Sequence, residues 1–272
     1  MPDSDRPIGI FDSGVGGLSV LRHILQQLPH ENLIYFADSG HAPYGDKPRE
    51  QVIARSQAIA RHLLGSDCKA LVVACNTATA AAIALLRQQY PQVPIVGVEP
   101  GLKPAAALTQ SGTVGVLATE QTLASEKFSL LRDQLTADTS VRFAVQACNG
   151  LADRIERGEL DTADTAALLQ RCVAPLVAQQ ADTLVLGCTH YPFVQAQIQA
   201  AARQAGAHTV QIVDTGEPVA RQLARLLAQR QLEKRSGITG TLTALTTGEA
   251  HHLADAFNTL LHIQPPVTAI NV

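Results

Sequence analysis

The strongest constraint on the fold is an alternation of short apolar, β-branched runs with longer amphipathic segments. The helical spacing of apolar residues is clearest over residues 49–64 and 165–178. Predicted strands cover residues 8–11, 33–37, 70–74, 95–98, 114–118, 141–146, 183–187, 210–213 and 241–245. Strands that alternate with helices predict an α/β fold, in which parallel sheets carry helices on both faces.

The chain also contains an internal repeat of three landmarks in one order. Gly9-Ile-Phe-Asp-Ser13 is similar to Gly115-Val-Leu-Ala-Thr119, and each ends a strand with a hydroxyl residue at the start of a helix. Ala70-Leu-Val-Val-Ala-Cys75 is likewise similar to Thr183-Leu-Val-Leu-Gly-Cys188. The third pair consists of residues 95–100 and 212–218. Three repeated landmarks in register indicate two α/β halves of similar topology.

We therefore predict two parallel-sheet domains related by pseudo-twofold symmetry. The first comprises residues 1–98 with a returning segment at 211–272, and the second comprises residues 99–210. The tail from residue 241 is expected to add one strand and one helix. Ligands of parallel sheets bind beyond the carboxyl ends of the strands, where every landmark lies. The predicted active site is therefore a cleft between the two domains.

Charge and composition exclude several classes of function. The 272 residues carry a formal net charge of −3, with no basic stripe of the kind that binds nucleic acid. No apolar run approaches the roughly 20 residues that span a bilayer, and the first residues lack the pattern of a signal peptide. The odd number of cysteines, without a C-x-x-C pair, favours reduced thiols. These features predict a cytoplasmic protein with neither nucleic-acid nor membrane partners.

Two of the cysteines occupy equivalent positions of the repeat. Cys75 and Cys188 each end an apolar strand and precede small polar residues that open a helix. A single buried cysteine is usually a small hydrophobic residue, and that interpretation is kept for Cys68, Cys148 and Cys172. The helix N-terminus stabilises a thiolate, the form that abstracts protons. The repeated pair therefore predicts paired catalytic thiols.

Other polar residues at strand ends allow two interpretations each. The loop Asp12-Ser-Gly-Val-Gly-Gly17 lacks the spacing of a phosphate-binding motif, and a tight turn capped by Ser13 would explain it. Asp12 could instead stand at the mouth of the cleft, where it binds an ammonium group or tunes a thiol. Pro43-Tyr44-Gly45 is locally a plain turn. His190 is either a buried structural histidine or a proton carrier beside Cys188.

Four blocks together make the chain resemble the glutamate racemase family. They are Asp12-Ser-Gly-Val-Gly-Gly-Leu-Ser-Val-Leu21, Ala42-Pro-Tyr-Gly45, Ala74-Cys-Asn-Thr-Ala78 and Leu186-Gly-Cys-Thr-His-Tyr-Pro192. The resemblance implies a racemase that inverts glutamate without a cofactor, using neither pyridoxal phosphate nor a metal. The catalytic residues it implies are Cys75, Cys188, Asp12, His190 and Glu156. The substrate-binding residues it implies are Asp12, Ser13, Tyr44, Gly45, Asn76, Thr77, Thr189 and His190.

One block departs from the commonest pattern of this family. Many members have a Cys-Pro pair and further prolines before a supporting glutamate, whereas this chain has Cys148-Asn-Gly-Leu-Ala-Asp-Arg-Ile-Glu156. Glu156 falls at the matching place, so it is assigned as a carboxylate that supports His190.

The resemblance also implies a division of labour between the two thiols. Inversion needs proton removal from one face of the α-carbon and delivery to the other, which two groups that exchange roles can perform. By the family pattern, Cys75 deprotonates D-glutamate with help from Asp12, and Cys188 deprotonates L-glutamate with help from His190. The expected assembly is a homodimer, and the expected product is D-glutamate for bacterial peptidoglycan.

Several alternatives to glutamate racemisation stay open at this point. The first is an aspartate or broad-specificity amino-acid racemase of the same superfamily, although two of the blocks favour glutamate. The second is a hydrolase with one nucleophilic cysteine and His190 as base, and the third is a non-catalytic amino-acid-binding module. A metal site built from His41, Cys75, Cys188 and His190 would lack recognisable zinc spacing.

Overall fold

A computed structural model describes residues 3–234 and 237–272. The strands are β1 (Ile8–Asp12), β2 (Leu33–Ala37), β3 (Ala70–Val73), β4 (Ile95–Gly97), β5 (Thr113–Ala118), β6 (Arg142–Ala147), β7 (Thr183–Gly187), β8 (Gln211–Val213), β9 (Leu242–Thr246) and β10 (Val267–Ala269). The helices are α1 (Leu18–Gln27), α2 (Arg49–Gly65), α3 (Asn76–Gln89), α4 (Leu102–Leu108), α5 (Glu120–Leu123), α6 (Glu126–Thr139), α7 (Leu151–Glu156), α8 (Ala163–Ala178), α9 (Gln195–Gln204), α10 (Gly216–Gln229) and α11 (Ala250–Leu261).

The strands form two parallel sheets, so the predicted α/β class is confirmed. The first sheet has the order β10-β9-β2-β1-β3-β4, and the second has the order β6-β5-β7-β8. All described strand pairs in both sheets are parallel. Strand β1 pairs with β2 and β3, as β5 pairs with β6 and β7. The second sheet thus repeats the order of four strands in the first, in agreement with the sequence repeat.

The chain divides into two compact units, each built around one sheet. The first unit contains Met1–Val98 and Gly216–Val272, and the second contains Glu99–Thr215. The sequence analysis assigned residues 211–215 to the first domain, which differs from this division. Strand β8 lies within that segment and pairs with β7 from Thr183↔Gln211 to Val185↔Val213. The hydrogen bonds of β8 therefore keep the segment in the second unit, and the chain returns only with α10.

The tail contains a short strand that hydrophobic periodicity did not reveal. One strand and one helix were expected after residue 241, and β9 and α11 are both present. Strand β10 follows them and pairs with β9 at the edge of the first sheet. It has three residues and is half-buried or exposed. Strand β10 lacks the buried apolar run by which the equally short β4 was predicted, and its pairing with β9 defines it.

Both units are built around hydrophobic cores against the sheets. In the first unit, a cluster of buried residues on β1, β2 and β3 includes Phe11, Phe36 and Leu71 and packs against α2 and α3. In the second unit, a cluster that includes Leu176 and Ile198 packs α8 and α9 against β5 and β7. Strands β1, β3, β5 and β7 are buried along their whole length, as expected for parallel strands covered on both faces. Within the described ranges, no helix has both the length and the apolar character needed to cross a membrane.

Candidate active site

The carboxyl edge of the first sheet gathers polar side chains from the loops after β1, β2 and β3. The backbone N–H of Asp38 donates to the carbonyl of Asp12 at 3.0 Å, and that of Ala74 donates to the carbonyl of Phe11 at 2.7 Å. These two bonds extend the ladder past the strand ends. They bring Asp12, Asp38 and the residue after Ala74, which is Cys75, to one edge of the sheet.

Cys75 is the N-cap residue of α3. Its backbone is extended, with φ −134° and ψ 124°, and its Sγ accepts the backbone N–H of Ala78 at 3.4 Å. A side chain at this position faces the unpaired N–H groups of the first helical turn, which favour negative charge. The buried thiol of Cys75 is therefore placed where its thiolate form is stabilised.

Asp12 organises the loop that joins β1 to α1. Its Oδ2 accepts the backbone N–H of Gly17, the N-cap residue of α1, at 2.5 Å, and the hydroxyl of Ser13 donates to its Oδ1 at 3.4 Å. Asp12 is fully buried, and its expected place at the mouth of the cleft stays a prediction. The carboxylate of Asp12, and not Ser13, satisfies the start of the helix. A Cβ at Gly17 would lie 2.7 Å from the Cβ of Asp12, so only glycine fits this turn.

Asn76 and Thr77 open α3 and are both buried. Among the described residues, neither Nδ2 nor Oδ1 of Asn76 has a hydrogen-bond partner. A buried polar group without a partner costs about 1–3 kcal/mol of stability. An amide at a helix N-terminus that carries this cost is a candidate for binding a ligand, because the ligand would supply the missing hydrogen bonds.

Tyr44 is fixed by a buried carboxylate that the sequence analysis did not single out. The hydroxyl of Tyr44 donates to Asp38 Oδ2 at 2.5 Å, and Gly45 follows it in the short 3₁₀ turn Tyr44–Asp46. The guanidinium of Arg55 donates to both oxygens of Asp38, at 2.8 and 2.9 Å. Asp38 follows β2 directly, so the rule that selected Asp12 and Cys75 could have found it.

The charges around Asp38 determine which groups ionise. Burial alone would raise the pKa of Asp38, but the hydrogen bonds from Arg55, Tyr44 and Thr247 hold it below its ordinary value of 3.8. Burial, together with the charge of Asp38, raises the pKa of Tyr44 above its ordinary 10. At neutral pH, Asp38 is therefore a carboxylate and Tyr44 a neutral phenol that donates to it. His41 also contacts this carboxylate, with Nδ1 3.1 Å from Oδ1.

The second sheet carries a thiol, an imidazole and a carboxylate in hydrogen-bonded sequence. Cys188 follows β7, and its Sγ lies 3.5 Å from Nδ1 of His190. Nε2 of the same ring lies 2.5 Å from Oε1 of Glu156, at the end of α7. Thr189 stands between Cys188 and His190 and is buried with them. The structure therefore brings Glu156 to His190 although the prolines of the commonest pattern are missing.

His190 is held in its protonated form by its two neighbours. Burial would lower the pKa of His190, but the charges and hydrogen bonds of Cys188 and Glu156 raise it well above 6.5. The ring is therefore an imidazolium at neutral pH, with one N–H directed at Glu156 and the other at Cys188. An imidazolium beside a thiol stabilises its thiolate.

The predicted residues fall into two sets, one for each unit. The first unit holds Asp12, Ser13, Tyr44, Gly45, Cys75, Asn76 and Thr77, and the second holds Glu156, Cys188, Thr189 and His190. Over residues 3–234 and 237–272, no three or more His, Cys, Asp or Glu side chains are grouped so that they could hold a metal ion. Each set contains one thiol, Cys75 at the N-terminus of α3 and Cys188 beside the imidazolium of His190. Together the fold and these groups define an α/β protein with a buried cysteine directly after one strand of each sheet.

Comparison with known proteins agrees with that class. The family described as Asp/Glu/Hydantoin racemase matches residues 8–223, which is most of the chain. The chain therefore belongs to the Asp/Glu/hydantoin racemase family and is an isomerase.

The relatives narrow this assignment within the family. The glutamate racemase of Stutzerimonas stutzeri is 53% identical over 232 residues, which cover 85% of this chain and 86% of the relative. A crystal structure of a glutamate racemase isoform from Bacillus anthracis has a TM-score of 0.87 and 32% identity, with 98% of both chains covered. The Escherichia coli glutamate racemase, solved with L-glutamate and the activator UDP-MurNAc-ala, has a TM-score of 0.80, 30% identity and 97% coverage of both chains. The predicted resemblance to glutamate racemases is thereby confirmed.

Proposed function

We propose that this protein interconverts L- and D-glutamate by exchanging protons at the α-carbon with Cys75 and Cys188. The observation that carries the proposal is the paired surroundings of the two thiols. One caps a helix N-terminus, and the other lies against an imidazolium held by a carboxylate. Relatives that share about half of their residues with this chain are glutamate racemases, which supports glutamate as the substrate.

The chemistry of inversion requires two groups on opposite faces of the α-carbon. A thiolate on one face removes the α-proton, and a thiol on the other face delivers a proton to the resulting carbanion. The two groups finish with exchanged protonation states, so the reverse reaction uses the same pair. We assign Cys75 as the base for D-glutamate and Cys188 as the base for L-glutamate.

The second unit supplies the proton-handling chain for Cys188. The imidazolium of His190 lies beside Cys188, which is the proposed base for L-glutamate. Glu156 fixes the ring and preserves its positive charge. Glu156 contacts His190, and we propose that it acts on Cys188 through that ring as a positioning residue. Thr189, which lies between Cys188 and His190 in the sequence, is proposed to bind the substrate.

The first unit supplies the corresponding environment for Cys75. The N-terminus of α3 favours its thiolate, and the neighbouring Asn76 and Thr77 are proposed to bind a substrate carboxylate at the same helix end. Ser13, Tyr44 and Gly45 are proposed to complete the binding site, with Asp12 near the substrate amino group. The hydrogen bond from Gly17 gives Asp12 a second task in holding the loop.

The proposed reaction needs no cofactor, and this can be tested directly. The purified protein, kept reduced, is expected to bring either pure enantiomer of glutamate to the racemic mixture without pyridoxal phosphate and in excess chelator. Chiral chromatography of the product gives the readout. Loss of inversion on chelation would contradict the proposal, and faster inversion of aspartate than of glutamate would reassign the substrate.

The cellular setting completes the proposal. We propose that the protein is a cytoplasmic homodimer that supplies D-glutamate for peptidoglycan. The resemblance to glutamate racemases supports all three parts. Sedimentation of the purified protein separates a two-chain particle from the 28.8 kDa chain.

A further inference from the structure

The loop that carries Tyr44 and Gly45 follows β2 at the carboxyl edge of the first sheet. It contains two short 3₁₀ turns, Ser39–His41 and Tyr44–Asp46. Turns of this kind have poorer hydrogen-bond geometry than an α-helix, so the loop depends on contacts with neighbouring elements to keep one position. The residues that hold this loop therefore affect the proposed glutamate site.

The tail of the chain reaches this loop through Thr247. Strand β9 pairs with β2 in parallel as far as Ala37↔Thr246, so the residues that follow the two strands lie side by side. The backbone N–H of Thr247 donates to the carbonyl of Ala37 at 3.1 Å, which extends the pairing by one residue. The register of the two strands thus places Thr247 beside Asp38.

The hydroxyl of Thr247 joins the backbone of the loop to the carboxylate that fixes Tyr44. It accepts the backbone N–H of Gly40 at 3.0 Å and donates to Oδ1 of Asp38 at 2.8 Å. Both directions are determined, because a backbone N–H can only donate and an ionised carboxylate can only accept. The other oxygen of Asp38 accepts the hydroxyl of Tyr44 at 2.5 Å. One hydroxyl therefore holds both the loop backbone and the acceptor of the Tyr44 hydroxyl.

The tail and the loop are also in close steric contact. A Cβ at Gly40 would lie 2.6 Å from the carbonyl oxygen of Thr247, so only glycine fits at this point of the loop. The second turn of the loop packs against α3, whose N-cap residue is Cys75. A shift of the loop would therefore move Tyr44 relative to the helix end that holds Cys75.

We propose that Thr247 is a positioning residue of the glutamate site, whose hydroxyl holds residues 39–46 so that Tyr44 and Gly45 can bind the substrate. The inference deepens the proposed function and rests on it. It makes the tail after residue 241 a support of the substrate loop as well as an addition to the sheet. Because Thr247 acts through the loop and not on the reacting atoms, its loss should affect substrate binding more than proton transfer.

Steady-state kinetics separates positioning from a general loss of stability. Thr247→Val keeps the shape of the side chain but removes both hydrogen bonds, and it should raise KM for L- and D-glutamate alike by about tenfold. We expect kcat to change by less than about twofold, because the lost interaction serves binding. A role in stability alone would lower the amount of active protein and leave KM unchanged.

Two further variants are matched controls for the hydroxyl. Thr247→Ser retains the donor and the acceptor, and it should restore the wild-type KM. Thr243→Val makes the same change at an exposed position of β9 and should leave KM at the wild-type value. Together they separate the loss of the hydrogen bonds from the effect of a valine in this strand.

Amide hydrogen exchange tests the loop contact without substrate. The N–H of Gly40 donates to the Thr247 hydroxyl, so NMR of the free protein should show it protected in the wild type and in Thr247→Ser. It should exchange rapidly in Thr247→Val. The N–H of Asp38, which donates to the carbonyl of Asp12, should stay protected in all three proteins.

Failure of this inference differs from failure of the proposed function. In an active wild type, a protected Gly40 amide in Thr247→Val would overturn the inference alone, and so would a wild-type KM in that variant. A wild-type protein that does not turn over glutamate would overturn the proposed function itself.

Discussion

At the scale of single residues, the proposed chemistry depends on how His190 is held between Cys188 and Glu156. The ring contacts both partners, one through each nitrogen. Burial works against its charge, and only the two acidic neighbours keep it protonated. The charge of the imidazolium is therefore a property of all three residues and is sensitive to the loss of Glu156.

Replacing Glu156 with glutamine should slow the reaction of L-glutamate by lowering the pKa of His190. Glu156→Gln removes a charge that raises the pKa of His190, so the ring loses its proton at lower pH. We expect kcat/KM for L-glutamate to fall about 10²-fold, in the lower range for a group that supports acid–base catalysis. The alkaline limb of its pH profile should also move to lower pH. Steady-state kinetics across pH measures both effects.

The sign of the pH effect follows from the direction of the shift. The pKa of His190 in the folded protein lies above 6.5. The contacts of the charged ring therefore contribute fully to stability below pH 6.5, and this contribution is lost as the pH rises through the folded pKa. Asp153→Asn, on the same helix α7, is the matched control and should keep the wild-type profile. An unmoved alkaline limb in Glu156→Gln would contradict the positioning role.

At the scale of secondary-structure elements, Asp38 joins three parts of the first unit. It follows β2, accepts two bonds from Arg55 on α2, and accepts the hydroxyl of Tyr44 in the neighbouring turn. Thr247, after β9, also donates to it at 2.8 Å. Asp38 is fully buried and the side chain of Arg55 is 14% exposed, so neither charge is compensated by water.

Loss of the Asp38 charge should therefore destabilise the unit. Asp38→Asn leaves the guanidinium of Arg55 largely buried without its counter-charge, and we expect a loss of about 3 kcal/mol in the free energy of unfolding. Because the folded pKa of Asp38 lies below 3.8, the wild-type contribution is present above 3.8 and is lost as pH falls through the folded value. Urea unfolding at pH 7 and pH 3 measures this.

The control for that variant is an ion pair on the surface. Asp133 contacts Arg132 at 2.8 Å, but its side chain is 66% exposed. Asp133→Asn should change stability by less than about 1 kcal/mol, because water screens an exposed pair. An Asp38→Asn protein as stable as Asp133→Asn at pH 7 would show that the buried pair does not hold these elements together.

At the scale of the whole molecule, the sequence repeat predicted two similar parallel-sheet units, and the two sheets share the order of four strands. The strand-end positions of Asp12 and Cys75 have counterparts in the second unit, because both units contain four strands in the same order. The same pattern selected the thiols and their neighbours, since ligand-binding residues of parallel sheets follow the strands. Periodicity was enough for the fold class, whereas most of the candidate site residues were implied by the resemblance to glutamate racemases.

What the sequence did not reveal depends on tertiary contacts. The short strand β10 and the membership of residues 211–215 in the second unit follow from strand pairing. The carboxylate of Asp12 accepts the backbone N–H of Gly17 only in the folded turn. The link between Asp38 and Arg55 joins residues 17 positions apart. None of these contacts produces a periodic pattern in the amino-acid sequence.

The central claim, that Cys75 and Cys188 act on opposite faces of the α-carbon, is tested most directly by hydrogen exchange in D₂O. Each enantiomer of glutamate is incubated separately with Cys75→Ala and with Cys188→Ala, and NMR follows the α-proton. Cys75→Ala should exchange L-glutamate alone and Cys188→Ala should exchange D-glutamate alone, with no inversion by either. Inversion that survives in one variant, or exchange of the same enantiomer by both, would contradict the two-base account.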